Sequence, residues 1–347
     1  MVGSLIVDAD GGELGGGFHA RYGGPHAEVV ALRDAEQRGF ADKLKDATLY
    51  VNLEPCSHHG KTPPCADLIL EKMIPRVVVA MEDPHPKVAG RGIAKLQEAG
   101  LDVIVGVLEK RAKRLNEAFA LHFATGRPLV TLKMAQTLDG KIAAADSAPL
   151  TITSLESRTL VHRWRSELDA VLAGSGTARA DDPQLTVRHV EGRQPVRVVL
   201  DRTGELPESL RLFTDEHAKQ TVAFVGEEAT PAYEIDLLAS GGRMIRSPEK
   251  DGHLDLSAVI EILGSGISLG RPVQSVLVEA GPNLATALLG QNLVDRLFVF
   301  TAPEILGEGI PSLTSFPVDE SVSFADIEWA EIGGDVLFQG YLRAMSA

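Results

Sequence analysis

Between Val2 and Val107, short unbroken apolar runs alternate with stretches of helical period. Val2–Val7, Ala47–Leu53, Arg76–Met81 and Leu101–Val107 are short, apolar and rich in β-branched residues, which predicts strands. From His26 to Gly39, Ala27, Val30 and Ala31 recur at i, i+3 and i+4, which predicts a helix stopped by Gly39. Pro64–Met73 and Gly92–Ala99 are also expected to be helical, and a glycine-rich turn (Gly11, Gly12, Gly15–Gly17) is expected after the first strand. One amphipathic helix is expected over Glu109–Ala124. Strands alternating with helices predict a mostly parallel sheet covered on both faces.

Thr125-Gly126-Arg127-Pro128 follows that helix. A Gly and a Pro just past a helix end mark the expected domain boundary, dividing the chain into 1–124 and 125–347. Beyond it, strands are expected at Leu129–Ala135, Ala170–Ala173, Val196–Asp201, near Thr221–Val225 and at Ser275–Glu279. Helices are expected at Ser154–Ser166, Leu256–Leu263 and Pro282–Leu289. Two strand-like runs, LFVFTA and DVLFQGYLRA, come last, with a glycine-rich loop expected between them. Both halves therefore read as α/β.

Composition narrows the partners. A chain of 347 residues suits two domains, and 44% hydrophobic with 24% charged residues excludes global disorder. Lys and Arg number 34 against 48 Asp and Glu, a net charge of −14 that disfavours broad binding to nucleic-acid backbones. A local basic pocket for one phosphate is still compatible with it. Cys56 and Cys65 are the only cysteines, too few for a disulfide-stapled scaffold. No apolar run approaches the roughly 20 residues of a membrane span, and MVGSLIVDADGGE lacks the basic start of a signal peptide. The expectation is a soluble cytoplasmic protein that binds neither nucleic acid nor membrane.

Chemistry concentrates in three segments of the first half. Pro25-His26-Ala27-Glu28 opens a helix, Pro55-Cys56 ends a strand, and Cys65 follows with eight residues between the cysteines. One imidazole and two thiolates leave a tetrahedral zinc with an open fourth position, which suits catalysis. Glu28, two residues past His26, is placed to carry a proton from water to a leaving amine, as in zinc nucleobase deaminases. An inert cysteine pair, or a zinc closed by His58 or His59, are the alternative readings. GGPHAEVVAL, LEPCSHHGKTPPC and VVVAMEDPHPKVAGRG resemble the deaminase half of the bifunctional riboflavin-biosynthesis deaminase–reductase family. The eight-residue gap separates that family from cytidine and tRNA-adenosine deaminases. The resemblance implies a cytidine-deaminase-like three-layer α/β/α domain, zinc on His26, Cys56 and Cys65, and Glu28 as proton shuttle. The family usually places a helix and an Asn-Pro segment before the Met-Val-Gly found here at Met1, and this chain is expected to lack them. Asp83-Pro84-His85-Pro86 also stands where the family has Asp-Pro-Asn-Pro.

In the second half, no G-x-G-x-x-G follows a strand. SVLVEAGPNLATALL instead ends a strand at Glu279 and starts a helix with Gly281-Pro282-Asn283, leaving free N–H groups for a phosphate. AVLAGSGTARADDPQLTVR makes a similar turn around Thr177. Each can equally be an ordinary strand–turn–helix link. With LVTLKMAQTLDGKIA they are similar to the reductase half of the same family, which resembles dihydrofolate reductase in fold. The resemblance implies NADPH contacts from Thr151, Thr177, Asp181 and the loop Gly281, Pro282, Asn283, Leu284, Ala285, Thr286 and Ala287. It places Arg165, Leu185, Arg188 and Glu279 in the substrate pocket, where two guanidinium groups can grip a sugar phosphate. Lys133 and Asp139 are expected near the site without an assigned role. Thr151-Ile152-Thr153 replaces the Trp-Ile-Thr common in relatives, and Gln136 replaces a small or apolar residue.

The implied activity is hydrolytic deamination of 2,5-diamino-6-ribosylamino-4(3H)-pyrimidinone 5′-phosphate, then NADPH reduction of its ribosyl group to ribityl, by a homo-oligomer. Two rivals are a single-function nucleobase deaminase with a degenerate reductase, and a non-catalytic zinc-stabilised nucleotide-binding module.

Overall fold

The computed structural model describes all residues except Tyr22, 59–62, 86–88, 145–150, Ser268, 316–321 and 343–347. Two compact units divide the chain, Met1–Thr125 and Gly126–Ala347. The first contains β1 (Gly3–Val7), β2 (Glu13–Phe18), α1 (Ala27–Gln37), β3 (Thr48–Val51), α2 (Cys65–Glu71), β4 (Arg76–Val79), α3 (Arg91–Glu98), β5 (Asp102–Val105), α4 (Glu109–Leu115) and α5 (Glu117–Thr125). Its sheet runs β2-β1-β3-β4-β5. β1 is antiparallel to both neighbours, and β3, β4 and β5 are parallel.

Strand alternation sends Val77 and Val79 to one face, where they pack with Ala31 and Leu32 of α1, Ile69 of α2 and Leu96 of α3. On a second, smaller cluster Leu53 and Met81 meet Ala112 of α4 and Phe119 of α5. Gly15–Gly17 lie inside β2 and not in a turn. A Cβ on Gly15 would stand 2.5 Å from the Ala31 carbonyl oxygen, and one on Gly17 2.5 Å from the Ala31 nitrogen. These glycines let α1 press its backbone against the strand. The turn itself is Asp8–Gly12, where the Asp8 carboxylate accepts the Gly12 N–H at 2.7 Å. The single long helix expected over Glu109–Ala124 is two helices. They break at Asn116 (φ −110°, ψ 15°), whose buried amide donates back to the Ala112 carbonyl at 3.2 Å.

The second unit contains β6 (Leu129–Thr137), β7 (Lys141–Ala144), α6 (Leu155–Glu167), β8 (Ala170–Gly174), α7 (Ser175–Asp181), β9 (Val196–Leu200), α8 (Arg211–Thr214), β10 (Thr221–Val225), α9 (Pro231–Ala239) and β11 (Arg243–Arg246). It continues with β12 (Glu249–Lys250), β13 (His253–Leu254), α10 (Leu256–Ser265), β14 (Ser275–Glu279), α11 (Pro282–Gly290), β15 (Arg296–Ala302), β16 (Gly309–Pro311), β17 (Ala325–Ile332) and β18 (Asp335–Tyr341). The main sheet runs β11-β10-β9-β8-β14-β6-β15-β18-β17. It is parallel from β11 to β15, and β18 and β17 add antiparallel. Val276 and Val278 face one core and Leu277 the other, so both faces are covered.

The chain passes from β6 to β8, builds outward, and only then fills the gap between them with β14. This reversal brings the carboxyl ends of β6, β14 and β8 side by side, the position where parallel sheets bind ligands. α9 and β11 went unanticipated, and the expected glycine-rich loop before DVLFQGYLRA contains β16 and β17. β17 is an edge strand exposed along most of its length, so its sequence carries no alternation of burial. Among the described residues, no helix is long and apolar enough to cross a membrane.

Candidate active sites

His26 is the N-cap of α1, Cys65 opens α2, and Cys56 lies in the turn after β3. Their ligand atoms lie within 4.8 Å of one another. His26 Nδ1 stands 3.5 Å from Cys56 Sγ and 3.3 Å from Cys65 Sγ. Donors around a tetrahedral zinc with ordinary bond lengths stand about 3.5–3.8 Å apart, so this set fits the ion. The backbone N–H of Cys65 donates to Cys56 Sγ at 3.3 Å. With the Cys65 thiol and then His26 also hydrogen-bonding to it, Cys56 is brought down to about 4 against the opposing effect of burial. Cys65 is pushed up by its bond to the Cys56 sulfur, by burial and by Glu28. His58 is exposed and outside the cluster, and His59 lies outside the described residues.

Glu28 is only 3% exposed, on the first turn of α1. Burial pushes its carboxyl up to about 7, beside the Cys56 sulfur, His26 and Cys65. A carboxylate poised near neutrality suits proton transfer in both directions.

In the second unit, Glu279 ends β14 opposite Lys133 of β6. Arg165 of α6 grips it with two parallel bonds, Nε to Oε1 at 2.6 Å and Nη2 to Oε2 at 2.9 Å. The Lys133 ammonium stands 4.0 Å from Oε2. Burial alone would raise the Glu279 pKa, but Arg165 and then Lys133 hold it at about 2. Burial lowers the Lys133 pKa despite Glu279, and its charge also acts on Asp181 at the end of α7. Arg188 is exposed, and its Nη1 donates to Thr186 Oγ1 at 3.1 Å. The Leu185 side chain, 1% exposed, is packed in the core, so only its backbone can face a ligand.

Gly281 caps α11, with Pro282 at the first helical position. A Cβ on Gly281 would come 3.2 Å from Thr177 Oγ1, and one on Gly174 3.5 Å from Leu284. This glycine cradle beside a helix start, with the Asn283 and Leu284 N–H groups at its first turn, fits a dinucleotide phosphate. Ala285 is fully buried and bonds its N–H to the Gly281 carbonyl, and Thr286 Oγ1 accepts the Thr314 N–H. Thr151 is exposed before α6, and among the described residues no recorded contact joins it to Thr177 or Gly281.

Residues 128–338 match the family model of the RibD C-terminal domain. Residues 1–81 match that of the cytidine and deoxycytidylate deaminase zinc-binding region. The riboflavin biosynthesis protein RibD of Aquifex aeolicus is 40% identical over 339 residues, covering 97% of this chain and 90% of that protein. This chain belongs to the RibD family. The Escherichia coli RibD is also 40% identical, over 96% of this chain and 91% of its own length. Among solved structures, RibD of Acinetobacter baumannii superposes with a TM-score of 0.82 at 34% identity, covering 98% of this chain and 91% of that one. The Thermotoga maritima diaminohydroxyphosphoribosylaminopyrimidine deaminase/5-amino-6-(5-phosphoribosylamino)uracil reductase gives 0.82 at 36% identity, with the same coverage. As a RibD, the protein is a bifunctional enzyme of riboflavin biosynthesis, a zinc-dependent deaminase and an NADPH-dependent reductase. The first unit carries the cytidine-deaminase zinc-binding region and the second the RibD C-terminal domain.

Sequence reasoning passed over Glu54 and His19 and gave no structural role to His85 and Asp139. Glu54, buried two positions before Cys56, accepts four backbone N–H groups, from Asp83, Gly90, Gly92 and Ile93. It thereby ties the Cys56 turn to the start of α3. The His19 ring lies edge-on to His26, with centroids 5.6 Å apart. His85 packs its ring on Phe123 of α5 at 4.5 Å. Asp139 accepts from Thr137 Oγ1 at 2.6 Å and from the Gly307 N–H at 2.8 Å, joining the ends of β6 and β15. Only the Glu-Pro-Cys adjacency could have pointed to the first of these.

Proposed function

We propose that residues 1–124 deaminate 2,5-diamino-6-ribosylamino-4(3H)-pyrimidinone 5′-phosphate and that residues 125–347 reduce the ribosyl group of the product to ribityl. The observation that carries the deaminase reading is the pairing of the His26, Cys56 and Cys65 donor set with a buried Glu28 beside it. Held by those three donors, zinc supplies the Lewis acidity that makes a water molecule acidic near neutral pH. The Glu28 carboxylate takes a proton and returns it to the departing amine. Its burial keeps bulk water from levelling its pKa. Among the described residues the donor group comprises His26, Cys56 and Cys65, with Glu28 beside it.

For the reductase, NADPH supplies a hydride. Thr177, Asp181 and the Gly281–Ala287 turn are the proposed cofactor contacts, with Thr151 at their margin. Arg165 and Glu279 form a fixed ion pair at the carboxyl end of β14, where Glu279 can accept from substrate hydroxyls. Arg165 already has three donors engaged, two on Glu279 and one on Thr186. Arg188, solvent-facing with one bond to Thr186 Oγ1, is therefore the proposed phosphate grip. The main chain of Leu185 completes the pocket.

The overall charge of −14 and free Cys56 and Cys65 support a cytoplasmic enzyme of small phosphorylated substrates. Exposed Ile327 and Trp329 on edge strand β17 support a homo-oligomer. The test uses the full chain with zinc and NADPH, following ammonia release from the diamino substrate and, separately, NADPH oxidation with the deaminated product supplied. Glu28→Gln should abolish the first and spare the second. Loss of both, or of neither, would defeat the division of labour.

A further inference from the structure

The segment carrying Arg188 is held by Arg165 and by side chains to which no function has been given. α6 contributes two contacts one turn apart. Arg165 Nη1 donates to the Thr186 carbonyl at 2.9 Å, and His162 Nδ1 accepts the Arg188 backbone N–H at 3.1 Å. Gln194 pairs with Val187 in both directions, Oε1 accepting at 2.8 Å and Nε2 donating at 2.9 Å. Arg197, wholly buried, donates to the Gln184 carbonyl at 3.0 Å. Leu185 adopts φ 51° between these clamps, a conformation a leucine keeps only when its surroundings impose it. The loop is therefore built into one shape before any ligand arrives.

Of these clamps, His162 alone acts on Arg188 itself. It is 4% exposed and edge-on to His189, with ring centroids 4.5 Å apart. To accept an N–H, Nδ1 must be unprotonated. Burial, then the charges of Arg165 and Arg188 and the neighbouring His189, hold the ring neutral, with a pKa near 4.

We propose that His162 is a positioning residue for the reductase substrate, its Nδ1 fixing the Arg188 backbone and so aiming that guanidinium at the substrate phosphate. The inference rests on Arg188 being the phosphate grip. Because His162 governs only the alignment of one cation, its removal acts on substrate affinity and not on the hydride step.

Steady-state reductase kinetics on the full-length zinc- and NADPH-loaded enzyme test this, with ammonia release as a check that the chain is folded. Losing one such hydrogen bond predicts that His162→Ala raises the substrate KM about tenfold, with kcat and NADPH affinity unchanged. His162→Asn, whose Oδ1 can stand where Nδ1 stood, should recover most of that loss. Arg188→Ala should raise KM at least as much, and the double variant no further than Arg188→Ala alone, since both act through one guanidinium. Equal impairment by Asn and Ala, or a parallel fall in kcat, would make His162 a packing residue and overturn the proposal. An unchanged KM in Arg188→Ala would instead remove the phosphate reading beneath it. A raised KM in Arg188→Ala with none in His162→Ala would leave that reading standing and refute the inference.

Discussion

In the first unit, three metal-ligand donors and a buried carboxylate converge where two helices begin and one strand ends. In the second, Lys133, Arg165, Arg188 and Glu279 come from positions far apart in the chain and meet at the carboxyl ends of parallel strands. The first set offers two thiols, an imidazole and a neighbouring carboxylate, so it is complementary to a metal ion. The second sets Lys133 and Arg165 against Glu279, with Arg188 and Asp181 within reach of their charges, so it suits an anionic phosphate. One chain with a net negative charge thus presents local sites of opposite electrostatic demand. Global charge says little about either.

Withdrawing the metal should break this contrast most sharply. Dialysis against a chelator is expected to eliminate ammonia release while leaving NADPH oxidation on supplied deaminated product intact, and added zinc should restore the first activity. A reductase that fails in parallel would show that the two sites are not chemically separate. Next in size, Glu28→Gln should lower deaminase kcat by about 10²–10⁴-fold, the usual contribution of a general acid–base group, with zinc content by metal analysis unchanged. Retained turnover would assign the proton transfer elsewhere.

On the other side, Glu279→Gln leaves Arg165 and Lys133 facing each other without their counter-ion. That should cost about 3–5 kcal/mol in the denaturant stability of the full chain. The same carboxylate gives a signed pH dependence. Its folded pKa of about 2 lies below the ordinary 4.5, so its stabilisation is complete above about pH 4.5 and is lost as pH falls toward 2. Unfolding midpoints between pH 5 and 2.5 should fall less steeply in Glu279→Gln than in the parent, and equal slopes would refute the assignment. The smallest expected effect is that of Asp139→Ala, which frees the loop at Gly307 and should cause a few-fold loss of reductase activity with little change in stability. An unchanged reductase would leave Asp139 a surface clamp only.

Legibility followed the same divide. His26 with Glu28, and Cys56 with Cys65, sit in short segments of recognisable residue types, which together with the family resemblance pointed to one site. The grip of Arg165 on Glu279 joins residues 114 positions apart, and no periodicity encodes such a pair. His162 and Gln194 act on main-chain atoms, which a list of side chains hides. The α/β layout was readable because β8, β9, β10 and β14 are buried on both faces and so form apolar runs. β17 escaped because an edge strand has little burial to record.

The glycine trio in β2 bears on how this enzyme can be made more heat-resistant. Replacing glycine by alanine commonly stabilises a protein by narrowing its unfolded ensemble, by about 0.4–1 kcal/mol where the backbone allows it. At Gly15 and Gly17 the added methyl would collide with the backbone of α1, whereas at Gly16 it would meet only Leu5 Cδ1 at 3.8 Å and the Glu13 side chain at 3.9 Å. Three adjacent and chemically identical residues therefore offer an engineer one usable position flanked by two forbidden ones.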